Sequence, residues 1–355
     1  MKQGKTINEL AVEIRRQSIA KKDYLVETTA MSMLIDGDTT AFNIDGVAKL
    51  GINEIAHQQI GQFTEIPWKY YDKMRSESPR LLVENVNHWL YSDAEQRRMI
   101  RTLDGNMRAF LSDRYRRIDN EQVAESVLPI ISRMDGARIE SCEITENKMY
   151  IKVVNPKITK DVSVGDTVQS GIVISNSEVG LGSVSVSPLI FRLVCSNGMI
   201  AQDGTVRKYH IGRANESDFD YNILRNETIE ADDKAFLMKV QDAVTAATSE
   251  AVFSKIVGQM QNAKEAKIEP RNVPKVVELT SKHVGITQFE TEGVLGHLIS
   301  GGDLSLYGLG NAVTRYAQDV KSYDRSTELE ATGYKIITIA PGVWNNILSA
   351  ARKEV

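Results

Sequence analysis

Arg97-Arg-Met-Ile-Arg-Thr-Leu-Asp104-Gly105-Asn-Met-Arg-Ala-Phe-Leu-Ser112-Asp-Arg-Tyr-Arg-Arg117 is the stretch from which the fold is read. Apolar and polar residues alternate on both sides of Asp104-Gly105, and Asp-Gly supplies the two positive-φ positions of a tight hairpin turn. A helix follows, capped at Asn120, with Val123, Val127, Ile130 and Met134 at helical spacing. Ala137–Val154 then reads as a second hairpin, turning at Glu146-Asn147. Gln169–Cys195 holds two further strands, one from Pro188 to Cys195, and Asn197-Gly198 is expected to form another hairpin turn. The order is ββαββ followed by more strands, which makes the class α+β with a central, mainly antiparallel sheet flanked by helices.

Working outward, residues 6–20 form an amphipathic helix and Tyr24–Ile35 alternates as a strand. Residues 52–91 are helical, interrupted by Pro67 and Pro79, each of which suits the first turn of a new helix. Seven acids against one arginine in 216–233 mark an exposed linker or edge. Beyond it Ala235–Ala266, Thr287–Gln318 (broken at Gly301-Gly302-Asp303) and the segment opened by Pro341 are helical. The chain therefore divides into an α+β core, 1–225, and a mostly helical region, 226–355.

Composition excludes several classes. The 355 residues are 42% hydrophobic and 25% charged, which is globular rather than disordered. The net charge of −4 announces no nucleic-acid binder by itself. Cys142 and Cys195 share no CxxC spacing and read as reduced, structural thiols. No leader-like apolar segment and no membrane-length apolar run is present, so the expected location is the cytoplasm, without membrane partners. There is no GxxxxGK[ST] and no HExxH, and the five histidines are scattered. No catalytic residue, cofactor or metal is assigned, and a non-enzymatic protein is expected.

Two segments stand out for function. The 97–117 hairpin carries seven arginines against two aspartates and no lysine. Guanidinium forks pair with phosphates, and neighbouring rings offer stacking faces for single strands. Arg108, Arg114, Arg116 and Arg117 are the expected phosphate contacts and Tyr115 the expected base-stacking ring. The opposing reading pairs these arginines with the acidic 216–233 stretch. The second segment gathers Ser175, Asn176, Ser177 and Glu178, then Ser183 and Ser185, among glycines. It reads either as a polar groove or as a tight turn that satisfies its own backbone.

Four strings carry a family resemblance: Ala109-Phe-Leu-Ser-Asp-Arg-Tyr-Arg-Arg-Ile-Asp-Asn120, Ser170-Gly-Ile-Val-Ile-Ser-Asn-Ser-Glu-Val-Gly180, Arg192-Leu-Val-Cys-Ser-Asn-Gly-Met199 and Tyr307-Gly-Leu-Gly-Asn-Ala-Val-Thr-Arg-Tyr-Ala317. Together, over roughly residues 40 to 350, the chain resembles the phage/plasmid-like family known as domain of unknown function 932. The resemblance implies a home on phages, plasmids and integrated elements and assigns no activity. The element order is also similar to the core of Rad-type single-strand annealing proteins, an analogy of fold that implies a homo-oligomer on single-stranded DNA.

The expected function is nucleic-acid binding, with single-stranded DNA foremost, in recombination or replication of a mobile element. The alternative is an interaction or anti-defence protein that binds a host protein. A third reading is a hydrolase or nuclease holding metal on Asp113, Asp119 and Glu178.

Overall fold

The computed structural model describes residues 1–92, 96–182, 184–202, 205–208 and 226–353. After helix α1 (Ile7–Ala20), whose Thr6 and Glu9 close a capping box, come four strands: β1 (Lys22–Glu27), β2 (Met31–Asp36), β3 (Thr39–Ile44) and β4 (Ala48–Ile52). Helices α2 (Glu54–Phe63), α3 (Trp68–Glu77) and α4 (Pro79–Ser92) lead to β5 (Arg97–Leu103) and β6 (Asn106–Ser112). These strands make the first sheet, in the order β1-β5-β6-β4-β3-β2. All its pairings are antiparallel except β4 with β6. Its inner face packs Met33, Phe42, Ile100 and Phe110 against Ile60, Tyr71, Leu82 and Val86 of α2–α4.

Helix α5 (Asn120–Arg133) carries the chain to a second sheet. It comprises β7 (Arg138–Ile144), β8 (Met149–Ser163), β9 (Asp166–Asn176), β10 (Val184–Arg192) and β11 (Asn197–Ile200), in reverse chain order from β11 to β7, with β12 (Val206–Lys208) also paired to β10. Ile151, Val153, Ile172 and Ile174 point to one face, where they meet α1, α5 and α6 (Asn226–Ala247). The C-terminal helices α7 (Glu250–Glu265), α8 (Val273–Val284), α9 (Gln288–Gly301), α10 (Leu306–Tyr316), α11 (Tyr323–Ile337) and α12 (Pro341–Lys353) form a cluster with Val168, Ile190 and Met199 farther along that face, while the opposite face, with Val154, Val173, Leu189 and Phe191, packs against Ala331 of α11. On that face Lys152, fully buried, donates to Glu330 at 2.6 Å and lies 4.6 Å from the Tyr323 ring. Among the described residues no helix is long and apolar enough to cross a membrane.

The α+β class holds, with one change of plan. The ββαββ run does not build one central sheet. Its first hairpin completes the N-terminal sheet, between β1 and β4, and its second joins β9. Alternation fixes which side chains share a face, but says nothing about which sheet a hairpin enters. Tyr24–Ile35 likewise divides at a short turn, Thr28–Ala30, into β1 and β2, which lie at opposite edges of the first sheet.

The Asp104-Gly105 turn is as read, with φ of 51° and 77°. Asn197-Gly198 is not a turn. Both residues lie in β11, opposite Arg192 and Phe191, and the chain reverses through 193–196, with Ser196 at φ 49°. Cys195 sits in that turn rather than in a strand. The acidic stretch is not wholly a linker, since α6 begins at Asn226. Its residues 216–225, together with His210 and Ser183, lie outside the described residues.

His57 in α2 is buried, with Nδ1 2.9 Å from the Tyr71 hydroxyl. Burial, reinforced by the nearby Arg75 charge, lowers its pKa to about 4. The unfolded chain takes up a proton near pH 6.5 that the folded imidazole refuses until about pH 4, so acidification favours unfolding across that window. His57→Gln should therefore flatten the stability profile between pH 6.5 and 4, by up to ~3 kcal/mol in denaturant titrations. Parallel profiles for parent and variant would contradict a neutral buried imidazole.

Candidate functional site

The outer face of the first sheet meets the β9–β10 loop of the second, and this junction is where the arginine hairpin and the polar segment converge. Met99, Ala109, Leu111, Tyr115 and Val179 form a small apolar cluster there. Gly180, at φ 78°, lets the loop approach: a Cβ at this position would stand 2.5 Å from Leu111 Cδ2. Gln59 of α2 pins both sides, donating to the Val179 carbonyl (2.7 Å) and accepting from the Phe110 amide (2.7 Å).

Arg101 lies at the centre, with no solvent exposure. Its Nε and Nη2 donate to the two oxygens of Asp23 (2.9 and 3.1 Å), Nη2 also to Asp119 (2.6 Å), and Nη1 to the Glu178 carbonyl (3.0 Å). Glu178 then takes Arg108 on one oxygen (2.6 Å) and the Asn120 amide on the other (2.6 Å). Lys21 stands between the acids, 2.7 Å from Asp119 and 3.6 Å from Glu178.

Two carboxylates thus sit at the N-terminus of α5, where the first amides lack helical partners and the helix dipole favours negative charge. Burial alone would raise the Asp119 pKa. The Arg101 charge and the bonds from Lys21 and Arg101 outweigh it and bring the carboxyl down to about 2. In the same way, burial disfavours a charged Arg101, but Asp119, Asp23 and Glu178 raise its pKa above the ordinary value.

These contacts reassign several residues singled out from sequence. Tyr115 is 6% exposed and donates to the Ser177 carbonyl at 3.1 Å, so its ring cannot stack on a base. Arg108, 7% exposed, is an internal partner of Glu178 and no phosphate ligand. Arg116 pairs with Asp232 of α6, which agrees at that one position with the opposing reading. Arg117 is 56% exposed, with Asp23 at 3.4 Å, and Arg114 is exposed.

The polar segment is an internal tie rather than an open groove. Asn176 donates to the Ile118 carbonyl (3.0 Å) and to Asn120 (2.9 Å). Ser177 donates to the Asn147 carbonyl (2.8 Å) and accepts from the Leu181 amide, and Ser175 bonds Ser185 across the strands (2.9 Å). Asp119 and Glu178 do meet, but cations of the chain take their oxygens, while Asp113 is exposed. Among the described residues no group of three or more His, Cys, Asp and Glu could hold a metal ion.

Lys21, Asp23 and Gln59 carry no signal in the sequence, because their roles arise only when the sheets meet. Asp119 rather than Asn120 is the N-cap, with Gln122 closing the capping box.

Fold and site define an α+β protein of two sheets clamped by a buried charge network. The particular family is that of the domain of unknown function DUF932, to which the chain belongs: its family model matches residues 109–335, well over half the length. No curated protein and no solved structure matches. The four strings carrying the resemblance meet in pairs. The first two form the junction just described, and the last two meet at Asp166, which accepts from Arg192 and from Tyr307.

Removing one member of a buried ion network leaves its partners uncompensated. Arg101→Leu should cost ~3–5 kcal/mol in chemical denaturation. Asp119→Asn should remove acid sensitivity between pH 4 and 2, where the unfolded carboxyl takes a proton before the folded one does, a contribution of ~2 kcal/mol. An Arg101→Leu protein as stable as the parent would show the network to be dispensable.

Proposed function

We propose that the protein binds nucleic acid, single-stranded DNA foremost, as a homo-oligomer acting in recombination or replication of a phage or plasmid in the host cytoplasm, without turning over a small molecule. The observation that carries this reading is the placement of Arg114 and Arg117. Both are exposed on the loop between β6 and α5, and Tyr115 between them is anchored by the Ser177 carbonyl. A loop fixed at its centre presents its guanidiniums with little ordering cost on binding.

Ser112 pairs with Arg98, so the loop leaves the sheet beside exposed Arg97. Beneath it Lys21, Arg101 and Arg108 balance Asp23, Asp119 and Glu178, and at the surface Arg97, Arg114 and Arg117 stand with exposed Asp113. Tyr115 becomes a positioning residue in this scheme.

A second reading, an interaction or anti-defence protein that binds a host protein, draws on a different surface. Trp68 and Tyr70 of α3 and Trp89 and Tyr91 of α4 are exposed, and such rings are enriched in protein interfaces.

Fluorescence anisotropy on a labelled single strand across a salt series separates the two. Arg97, Arg114 and Arg117 changed together to Gln should weaken binding and flatten the log K against log salt slope by about 2 units, at roughly 0.7 per phosphate contact. Tyr115→Ala should weaken binding by releasing the loop. Absence of binding by the parent at low salt would end this reading and favour the host-protein one.

A further inference from the structure

A cleft of about 60 Å³ opens where the 193–196 turn meets α9 and α10, away from the charged junction. Arg192, Cys195, His297, Asp303, Asn311 and Arg315 supply its polar lining. Each acid in and around it has a neighbour of the chain. Asp166 holds the fork of Arg192 (2.6 and 2.9 Å) and also accepts from Tyr307. Asp319 bonds His297 Nε2 (2.6 Å), and Asp303 lies 3.9 Å from Lys264.

Arg315 differs. Its Nη1 donates to the neutral Gln318 amide (2.9 Å), and among the described residues it makes no ion pair. Gln318 also donates to the Cys195 carbonyl (3.2 Å), tying this arginine to the turn. Arg192 directs its remaining Nη1 at the Cys195 sulfur (3.4 Å), a weak acceptor. The cleft therefore has one guanidinium, Arg315, with no carboxylate partner among the described residues, and a second guanidinium arm with only a weak partner. Its volume exceeds the ~10–15 Å³ that one water needs on this measure, so a small polar group can enter between the two arginines.

We propose that this cleft is a phosphate-binding site, with Arg315 the principal charge partner and Arg192 Nη1 a second donor, taking either free phosphate or the terminal phosphate of a nucleotide whose sugar and base stay outside. The proposal is independent of the reading of the arginine loop, which lies on other elements.

Cys195 provides the reporter. It is half-buried in the cleft lining, whereas Cys142 is fully buried, its thiol pushed up to about 12 by burial, so alkylation of the folded protein by iodoacetamide reads Cys195. Inorganic phosphate and deoxyadenosine 5′-monophosphate are titrated separately at constant ionic strength, with deoxyadenosine as control. At ten times the Kd only the unliganded fraction reacts, so the rate should fall about tenfold.

Protection by both probes, or by one alone, supports the site and identifies the source of the phosphate. Arg315→Gln should abolish protection and Arg315→Lys should retain part of it, while basal alkylation confirms that each variant keeps the turn. Rates unchanged by millimolar phosphate and nucleotide, equal protection by deoxyadenosine, or protection that survives Arg315→Gln would overturn the proposal.

Discussion

A guanidinium with no access to water must find its charge partners inside the protein, and Arg101 finds them on three separate parts of the chain. Asp23 comes from the edge strand of the first sheet, Asp119 from the cap of the connecting helix, and the Glu178 carbonyl from a loop of the second sheet. All of the Arg101 donors named are satisfied only when the three parts are in place together. Apolar packing at this junction is modest, so geometry there is set by directional bonds, and a charge network tolerates fewer alternative arrangements than an oily contact. The relative placement of the two sheets follows from that requirement.

The same constraint explains why a strongly basic segment contributes less positive surface than its composition promises. Seven arginines crowd 97–117, yet Arg101 and Arg108 lie inside and Arg116 is engaged with Asp232. Arg98 rests on the rings of Phe63 and Phe110, 4.5 and 4.9 Å from their centroids. Arginine suits these interior positions because its five donors can serve several acceptors from one rigid plane.

What the sequence discloses follows from the range of the forces involved. Asp104-Gly105, the breaks at Pro67 and Pro79, the α9–α10 interruption at Gly301-Gly302 and the helix opened by Pro341 are local matters of backbone conformation, and all are legible. Asn197-Gly198 misleads because its dipeptide preference yields to pairing with Arg192 and Phe191. The partition of the two hairpins between sheets is hidden, since it depends on strands far away in the chain. At the site, Glu178 and the 97–117 arginines are visible as unusual residues, but not as one another's partners. Tyr115 shows the difficulty plainly: a tyrosine between arginines looks like a stacking ring until burial against Val179 and Leu111 is known.

Lys152 has a consequence of a different kind. Its ammonium is buried on the sheet face that carries Glu330, while its neighbours Ile151 and Val153 face α1, α5 and α6. If β8 slid by one residue against β7 and β9, every side chain would exchange faces, and the ammonium would enter a layer packed with Leu10, Val127 and Val244. An aliphatic residue at 152 would tolerate that slip, whereas a cation would not. The Lys152–Glu330 pair thus works as a key that admits one alignment of the longest strand, and it guards the accuracy of assembly more than the depth of the final energy well.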